Sequence, residues 1–214
     1  MTSRDVATVI RQRLDELDIQ VAEEVLAGSV SYLRLLQKWN RTINLTALSF
    51  DEPHLSGTVD KLLMEPLIGA SLLESVGFSP REWFDLGSGG GSPAIPMRLS
   101  CPSGRQTMVE ARDRKCAFLR EVVRQLGLEA TVVLNSRFEQ IPASNNIDLL
   151  TVRAVRLDES VGTLTMSLLA PKGFVLSFGS EFHSDGLRLV ASRALPDLST
   201  LFLSQLVNVP RGTI

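Results

Sequence analysis

Through the first forty residues, apolar positions recur at three- and four-residue spacing. Val6, Val9, Ile10, Leu14, Leu17, Val21 and Val25 form one stripe, which predicts helix over residues 4–40. Gly28-Ser29 interrupts the stripe, and Ser29 stands where it would cap a second helix carrying Tyr32, Leu33, Leu35, Leu36 and Trp39. Residues 40–44 are predicted to turn the chain. A further helix over residues 59–76 holds Leu62, Leu63, Leu67, Leu72 and Leu73, with Pro66 expected to kink or break it.

From residue 82 the texture changes, and short apolar runs alternate with helical patterns. Strands are predicted at residues 82–86, 107–110, 130–134, 147–152 and 174–178. Helices are predicted after Pro93, over residues 113–126 with Gly127 as C-terminal cap, and over residues 161–169. Such alternation calls for a parallel sheet with helices on both faces. Two last apolar runs, 187–191 and 200–207, have no strong helix between them and predict an antiparallel hairpin at the sheet edge. That tail is unusual in a dehydrogenase. The expected fold is α/β: a Rossmann-like sheet, mostly parallel with an antiparallel C-terminal edge strand, preceded by an N-terminal helical extension. The expected division is residues 1–78 for the extension and 79–214 for the Rossmann-like domain.

The glycine-rich run Asp85-Leu-Gly-Ser-Gly-Gly-Gly91 follows the first strand. There a doubly wound sheet binds nucleotides, and glycines let a ligand lie against the main chain. Two cofactors compete. Gly89 to Ala94 can be fitted to a G-x-G-x-x-A dinucleotide fingerprint. Asp85, however, places a carboxylate where a pyrophosphate would be repelled and a sulfonium with an ammonium group welcomed. The alternative for Asp85 is a turn-ordering role. Glu110 ends the second strand, where an acid accepts hydrogen bonds from ribose hydroxyls; otherwise it is a solvated strand end. Phe138 and Glu139 follow the third strand, near an adenine's expected place. Asp148 opens the fourth strand and serves equally well as a turn residue.

Composition narrows the rest. The chain has 214 residues, is 44% hydrophobic and 21% charged, and carries a net charge of −2, so no global basic signal for nucleic acid exists. Residues 98–137 nevertheless hold eight basic against four acidic residues, a candidate anion-facing surface, whereas residues 1–30 hold three basic and six acidic. Cys101 and Cys116 are too few for a zinc site or disulfide framework, and His54 and His183 stand alone, so no metal is expected. No signal peptide opens the sequence and no apolar run suits a membrane span, so a cytoplasmic protein is expected, and the sequons at Asn40 and Asn44 are chance matches.

Four segments together resemble one family. They are Leu36-Gln-Lys-Trp-Asn-Arg-Thr-Ile-Asn-Leu-Thr-Ala47, Asp85 to Pro96, Phe118-Leu-Arg-Glu-Val-Val-Arg-Gln-Leu-Gly-Leu128 and Arg153-Ala-Val155. They resemble the RsmG (GidB) family, which methylates guanine N7 in bacterial 16S ribosomal RNA, over about residues 30–179. The W-N-x-x-x-N-L-T segment is more specific than the glycine loop. The resemblance implies S-adenosylmethionine as cofactor, with contacts at Gly87, Ser92, Phe138, Glu139 and Arg153 and ribose at Glu110. With Asp85, Gly89 and Gly91 from the loop, these make the expected cofactor site, and the resemblance implies a class I methyltransferase sheet in which residues 79–214 form the Rossmann-like S-adenosylmethionine-binding domain. The sequence departs from the family pattern at Ser92, at Lys61-Leu62 with Glu65-Pro66, at Phe178-Gly179, and in lacking closing basic residues.

The implied partner is 16S rRNA within the small ribosomal subunit, approached by a monomer. Guanine N7 already has a free lone pair, so its methylation needs no general base, and alignment would carry the catalysis. A cationic donor suits guanine O6. Arg153 is the first candidate for that substrate-side, catalytic role, or only braces its loop by an ion pair. Lys38 and Arg41 are expected to meet RNA with it. Phe178 either stacks on a base or is a buried strand end. Three other readings compete: a methyltransferase for a small molecule or protein, a non-catalytic RNA- or ribosome-binding protein, and a dinucleotide enzyme.

Overall fold

The computed structural model describes residues 5–154 and 159–207. Val155, the last residue of the Arg153-Ala-Val155 motif, lies outside them, as do residues 1–4 of the acidic N-terminal stretch.

Seven strands form one sheet in the order β3-β2-β1-β4-β5-β7-β6. They are β1 (Glu82–Leu86), β2 (Arg105–Glu110), β3 (Thr131–Asn135), β4 (Ile147–Arg153), β5 (Leu169–Phe178), β6 (Leu187–Ala194) and β7 (Thr200–Leu206). The first five run parallel, while β7 is antiparallel to both β5 and β6, closing the sheet with the expected hairpin. Both faces are covered, as a parallel sheet requires. Along β4, Leu149 packs with α4 (Glu65–Ser75), whereas Leu150 packs with Val161 and Leu168 of α7 (Glu159–Leu168).

The N-terminal region departs from the predicted pattern. The helix ends at α1 (Val6–Glu16) and restarts as α2 (Glu23–Asn40), so the break lies at residues 17–22 and Gly28-Ser29 sits inside α2. Asp18 takes the left-handed conformation (φ 51°), and the Ile19 amide closes back on the Leu14 carbonyl at 2.9 Å. This is a helix stop written with aspartate in place of the usual glycine. Ser29 is therefore no cap, and Gly28 serves close approach. A Cβ there would lie 2.7 Å from Leu99 of α5 (Ala94–Ser100).

Of the predicted kink or break at Pro66, the break does not occur, and an irregularity of another kind precedes the proline. α3 (Leu55–Val59) runs through a π-turn at Asp60–Met64 directly into α4. Proline has no N–H for the carbonyl four residues earlier, nor for the one five earlier that a π-turn would use. Those carbonyls belong to Leu62 and Lys61, and both find partners outside the helix.

The helical segment and the sheet share one core. Tyr32, Leu33, Leu36, Leu55 and Leu63 cluster with Ala94 and Ile95 of α5, and with Phe118, Leu119 and Val122 of α6 (Asp113–Leu126). Gly127 ends α6 in the left-handed conformation, as predicted.

Candidate active site

The site lies at the carboxyl ends of β1, β2 and β4. Asp85 is 1% exposed although it is charged. Its register partner on β4 is Thr151, whose hydroxyl donates to Asp85 Oδ1 at 2.5 Å while accepting from Trp83 Nε1 at 3.1 Å. Asp85 Oδ2 is buried and has no partner among the described residues. Burial pushes the Asp85 carboxyl up to about 6, against the opposing Thr151 bond and the Arg153 charge; the Ser88 hydroxyl donates to the Asp85 main-chain carbonyl at 3.1 Å and leaves Oδ2 open. A buried acceptor left open in a native fold asks for an explanation.

The loop after β1 has Gly87, Gly89 and Gly91 at positive φ. At Gly91 (φ 92°) a Cβ would also come within 2.9 Å of Ile95, so both conformation and space demand glycine. The helical segment roofs this loop. Tyr32 of α2 donates its hydroxyl to the Gly90 carbonyl at 2.8 Å, and burial pushes that phenol up. A Cβ on Gly90 would lie 3.2 Å from the Leu45 carbonyl. Leu45 is held there by Asn40, whose Oδ1 accepts from the Leu45 and Thr46 amides at 2.8 and 3.0 Å and whose Nδ2 donates to the Thr46 carbonyl at 3.0 Å. The W-N-x-x-x-N-L-T segment is thus a stapled loop laid on the glycine turn.

Glu110 closes β2 and is 8% exposed. Its carboxylate accepts from the Gly89 amide at 2.9 Å and the Arg112 amide at 2.8 Å, which orients it beside the loop with lone pairs to spare. Lys115 brings its Nζ within 3.8 Å of where a Gly89 Cβ would be. Phe138 sits in a 3-10 turn (Phe138–Gln140), half-buried against the α7-side core, and Glu139 beside it is exposed.

Arg153 ends β4 on the opposite wall. Its Nη1 donates to the Lys61 carbonyl at 2.7 Å and to Ser92 Oγ at 2.9 Å; its Nη2 donates to Glu65 Oε2 at 2.7 Å. Ser92 Oγ in turn donates to the Leu62 carbonyl at 3.0 Å. The two carbonyls released by Pro66 are therefore those that receive Arg153 and Ser92. The guanidinium also lies 4.3 Å from the Phe178 ring centre, and Phe178 is 7% exposed. Phe178 thus packs as a buried strand end.

Lys38 and Arg41 are exposed at the end of α2, next to the stapled loop. Part of the basic surplus in residues 98–137 is internal, because Arg98 is buried and tied to the carbonyls of Ser103, Gly104 and Glu129. Asp148 has a structural role, accepting from the Arg81 amide at 2.8 Å. A cleft of about 800 Å³ between the α1–α2 link, α4 and the turns before β1 and β2 takes none of its walls from the glycine loop. No helix among the described residues is long and apolar enough to cross a membrane.

Sequence reasoning missed Tyr32, Thr151 and Lys115. The first two look like ordinary helix and strand positions, and only the register of β1 on β4 brings Thr151 to Asp85. Pro66 was visible, but its consequence depends on what approaches the carbonyls it frees.

Comparison with known proteins agrees with this geometry. The solved structure of an O-methyltransferase from Bacillus cereus in complex with SAH superposes with a TM-score of 0.63 at 12% identity, covering 91% of this chain and 96% of that one. A SAM-dependent methyltransferase from Aquifex aeolicus gives 0.54 at 15% identity, over 70% of this chain and 93% of that one. At such identities the likeness is one of fold. Ribosomal RNA small subunit methyltransferase G of Stenotrophomonas maltophilia is 34% identical over 198 residues, 92% of this chain and 88% of the relative. The Xanthomonas oryzae protein of the same name is 34% identical over 211 residues, 96% of this chain and 90% of its own length. The family described as rRNA small subunit methyltransferase G (GidB) matches residues 26–206. The chain belongs to that family of S-adenosylmethionine-dependent rRNA methyltransferases.

Proposed function

We propose that this protein methylates N7 of a guanosine in the 16S rRNA of the small ribosomal subunit, in the cytoplasm. The observation that carries the reading is the open, buried Oδ2 of Asp85 beside a glycine cradle, in a chain of this family. The residues present fit S-adenosylmethionine: a buried anion with an unfilled acceptor suits a cationic ligand, and at Gly89 a Cβ would meet nothing closer than the Gly87 carbonyl at 3.6 Å, so a ligand can lie against the main chain there. When bound, that cofactor supplies a methyl group on a positively charged sulfur.

The chain's own residues bind and orient. Asp85 takes the cationic end, while Gly87, Gly89 and Gly91 let main chain and ligand approach closely. Glu110, already oriented by two amides, accepts from ribose hydroxyls. Phe138 and Glu139 flank the adenine. Ser92 and Arg153 form the wall beyond the glycines. No residue need remove a proton, since guanine N7 attacks through a free lone pair, and rate comes from holding the reacting atoms in line. Lys38 and Arg41 meet RNA phosphate beside the stapled loop.

The test is incubation with methyl-labelled cofactor and small-subunit particles from a strain lacking the family enzyme. Label is expected in 7-methylguanosine. Label in another nucleoside, or tight cofactor binding with no transfer to ribosomal RNA, overturns the reading.

A further inference from the structure

Beneath the Ser92 corner lies a chain of charges that the reaction itself does not use. Glu65, at the start of α4, is 0% exposed, and its two oxygens serve two cations. Oε2 receives Arg153 Nη2 at 2.7 Å, and Oε1 faces Lys61 Nζ at 3.1 Å as an ion pair without hydrogen-bond geometry. Lys61 in turn reaches Asp197 Oδ2 at 2.7 Å, in the turn between β6 and β7. Four elements therefore meet through one buried carboxylate: the π-turn, the end of β4, the glycine loop by way of Ser92, and the C-terminal hairpin. A fully buried carboxylate persists only with such partners, because desolvation is otherwise too costly.

We propose that Glu65 is a positioning residue for the cofactor loop, acting through Arg153 on Ser92, with Lys61 and Asp197 holding Glu65 from behind. The proposal rests on the methyltransferase reading. Geometry gives the direction of action. Arg153 Nη1 divides its donors between the Lys61 carbonyl and Ser92 Oγ, so the guanidinium plane sets where Ser92 stands. One bond from Nη1 to a carbonyl does not fix that plane; the second anchor is Nη2 on Glu65. The Arg153 Nε is buried without a partner among the described residues, and the Phe178 ring 4.3 Å from the guanidinium accepts no directed N–H bond, so Glu65 is the second polar anchor. Ser92 then holds the last turn of the loop against the Leu62 carbonyl. Without Glu65 the guanidinium keeps its charge but loses its angle.

The experiment measures adenosylhomocysteine affinity by calorimetry, KM for the cofactor, and kcat at saturating cofactor. It uses the full-length wild type, Glu65→Gln, Ser92→Ala and the double variant. Glu65→Gln is expected to weaken binding and raise KM about tenfold with kcat within about threefold, a difference of ~1.4 kcal/mol. In the Ser92→Ala background the same substitution is expected to cost little more, because the path has already been cut. A merely structural Glu65 would lower the melting temperature and the active fraction, leave KM unchanged and give additive losses. That result overturns the proposal. Should Glu65→Gln not fold, Asp197→Asn carries the test. It keeps the Oδ1 bonds to Ser199 and removes both the charge facing Lys61 and the Oδ2 acceptor that Lys61 uses. A two- to threefold rise in KM is expected on the scale of a weak partly exposed ion pair, and an unchanged KM overturns the proposal. If wild type binds no adenosylhomocysteine, the methyltransferase reading fails and this proposal with it; if wild type binds and Glu65→Gln binds equally well, only the positioning role fails.

Discussion

The ends of β1 and β4 lie side by side, and each carries a buried charge, yet the two are treated oppositely. Asp85 on β1 has one oxygen bonded to Thr151 and the other unsatisfied. Arg153 on β4 has both terminal nitrogens engaged and an aromatic ring against its face. The terminal nitrogens of Arg153 are filled from within the chain and only its Nε is left open, whereas the Asp85 carboxylate keeps a whole oxygen without a partner. Neighbouring strand ends thus differ in how far the chain itself satisfies their charges, which sequence position alone does not show.

The largest effect should come from breaking the filled side. Arg153→Met leaves Glu65 buried without its main partner, and a loss of about 3 kcal/mol in urea unfolding is expected. Adding Glu65→Leu removes both charges and should return most of that loss, measured as a double-mutant cycle. If Arg153→Met is as stable as wild type, the pairing does not hold the walls together.

On the open side the sign reverses. Asp85→Asn should weaken adenosylhomocysteine binding by about 2 kcal/mol, the scale of a charge-assisted hydrogen bond, while leaving the ligand-free protein as stable or more so. The carboxyl is raised to about 6 in the fold from 3.8. The folded state therefore binds the proton more tightly than the unfolded chain, and Asp85 costs stability increasingly as pH rises from about 4 to about 6. The advantage of Asp85→Asn in melting temperature should be full near neutral pH and vanish towards pH 4. Cofactor affinity should run the other way, level above pH 7 and falling about tenfold per pH unit below about 6, as calorimetry across pH would record. An affinity flat from pH 5 to 8 removes Asp85 from the binding site.

The roof of the site gives a smaller effect. Asn40→Ala deletes three hydrogen bonds that staple the loop on the glycine turn, so a loss of about 1–2 kcal/mol in unfolding is expected, with a matching rise in KM for the cofactor. Smallest should be Lys38→Ala and Arg41→Ala. Each is expected to reduce particle binding a few-fold and to flatten its salt dependence by about one phosphate contact, with cofactor affinity unchanged. A change in cofactor affinity would place them on the wrong side of the comparison.

Residues along the chain were enough to determine the alternation of strands and helices from residue 82, the closing hairpin, the glycine turn and the two acids at its flanks. Period and turn chemistry are local properties, and the motifs that resemble the family lie in contiguous stretches. Tertiary structure alone decided that the helical segment roofs the site, that Thr151 meets Asp85 and that Pro66 frees two carbonyls for Arg153 and Ser92. It also put Gly28 against Leu99 rather than at a helix break. In each of these cases the deciding partner lies far away in sequence, and whether a polar group is filled or left open depends on which distant group packing brings within hydrogen-bond reach.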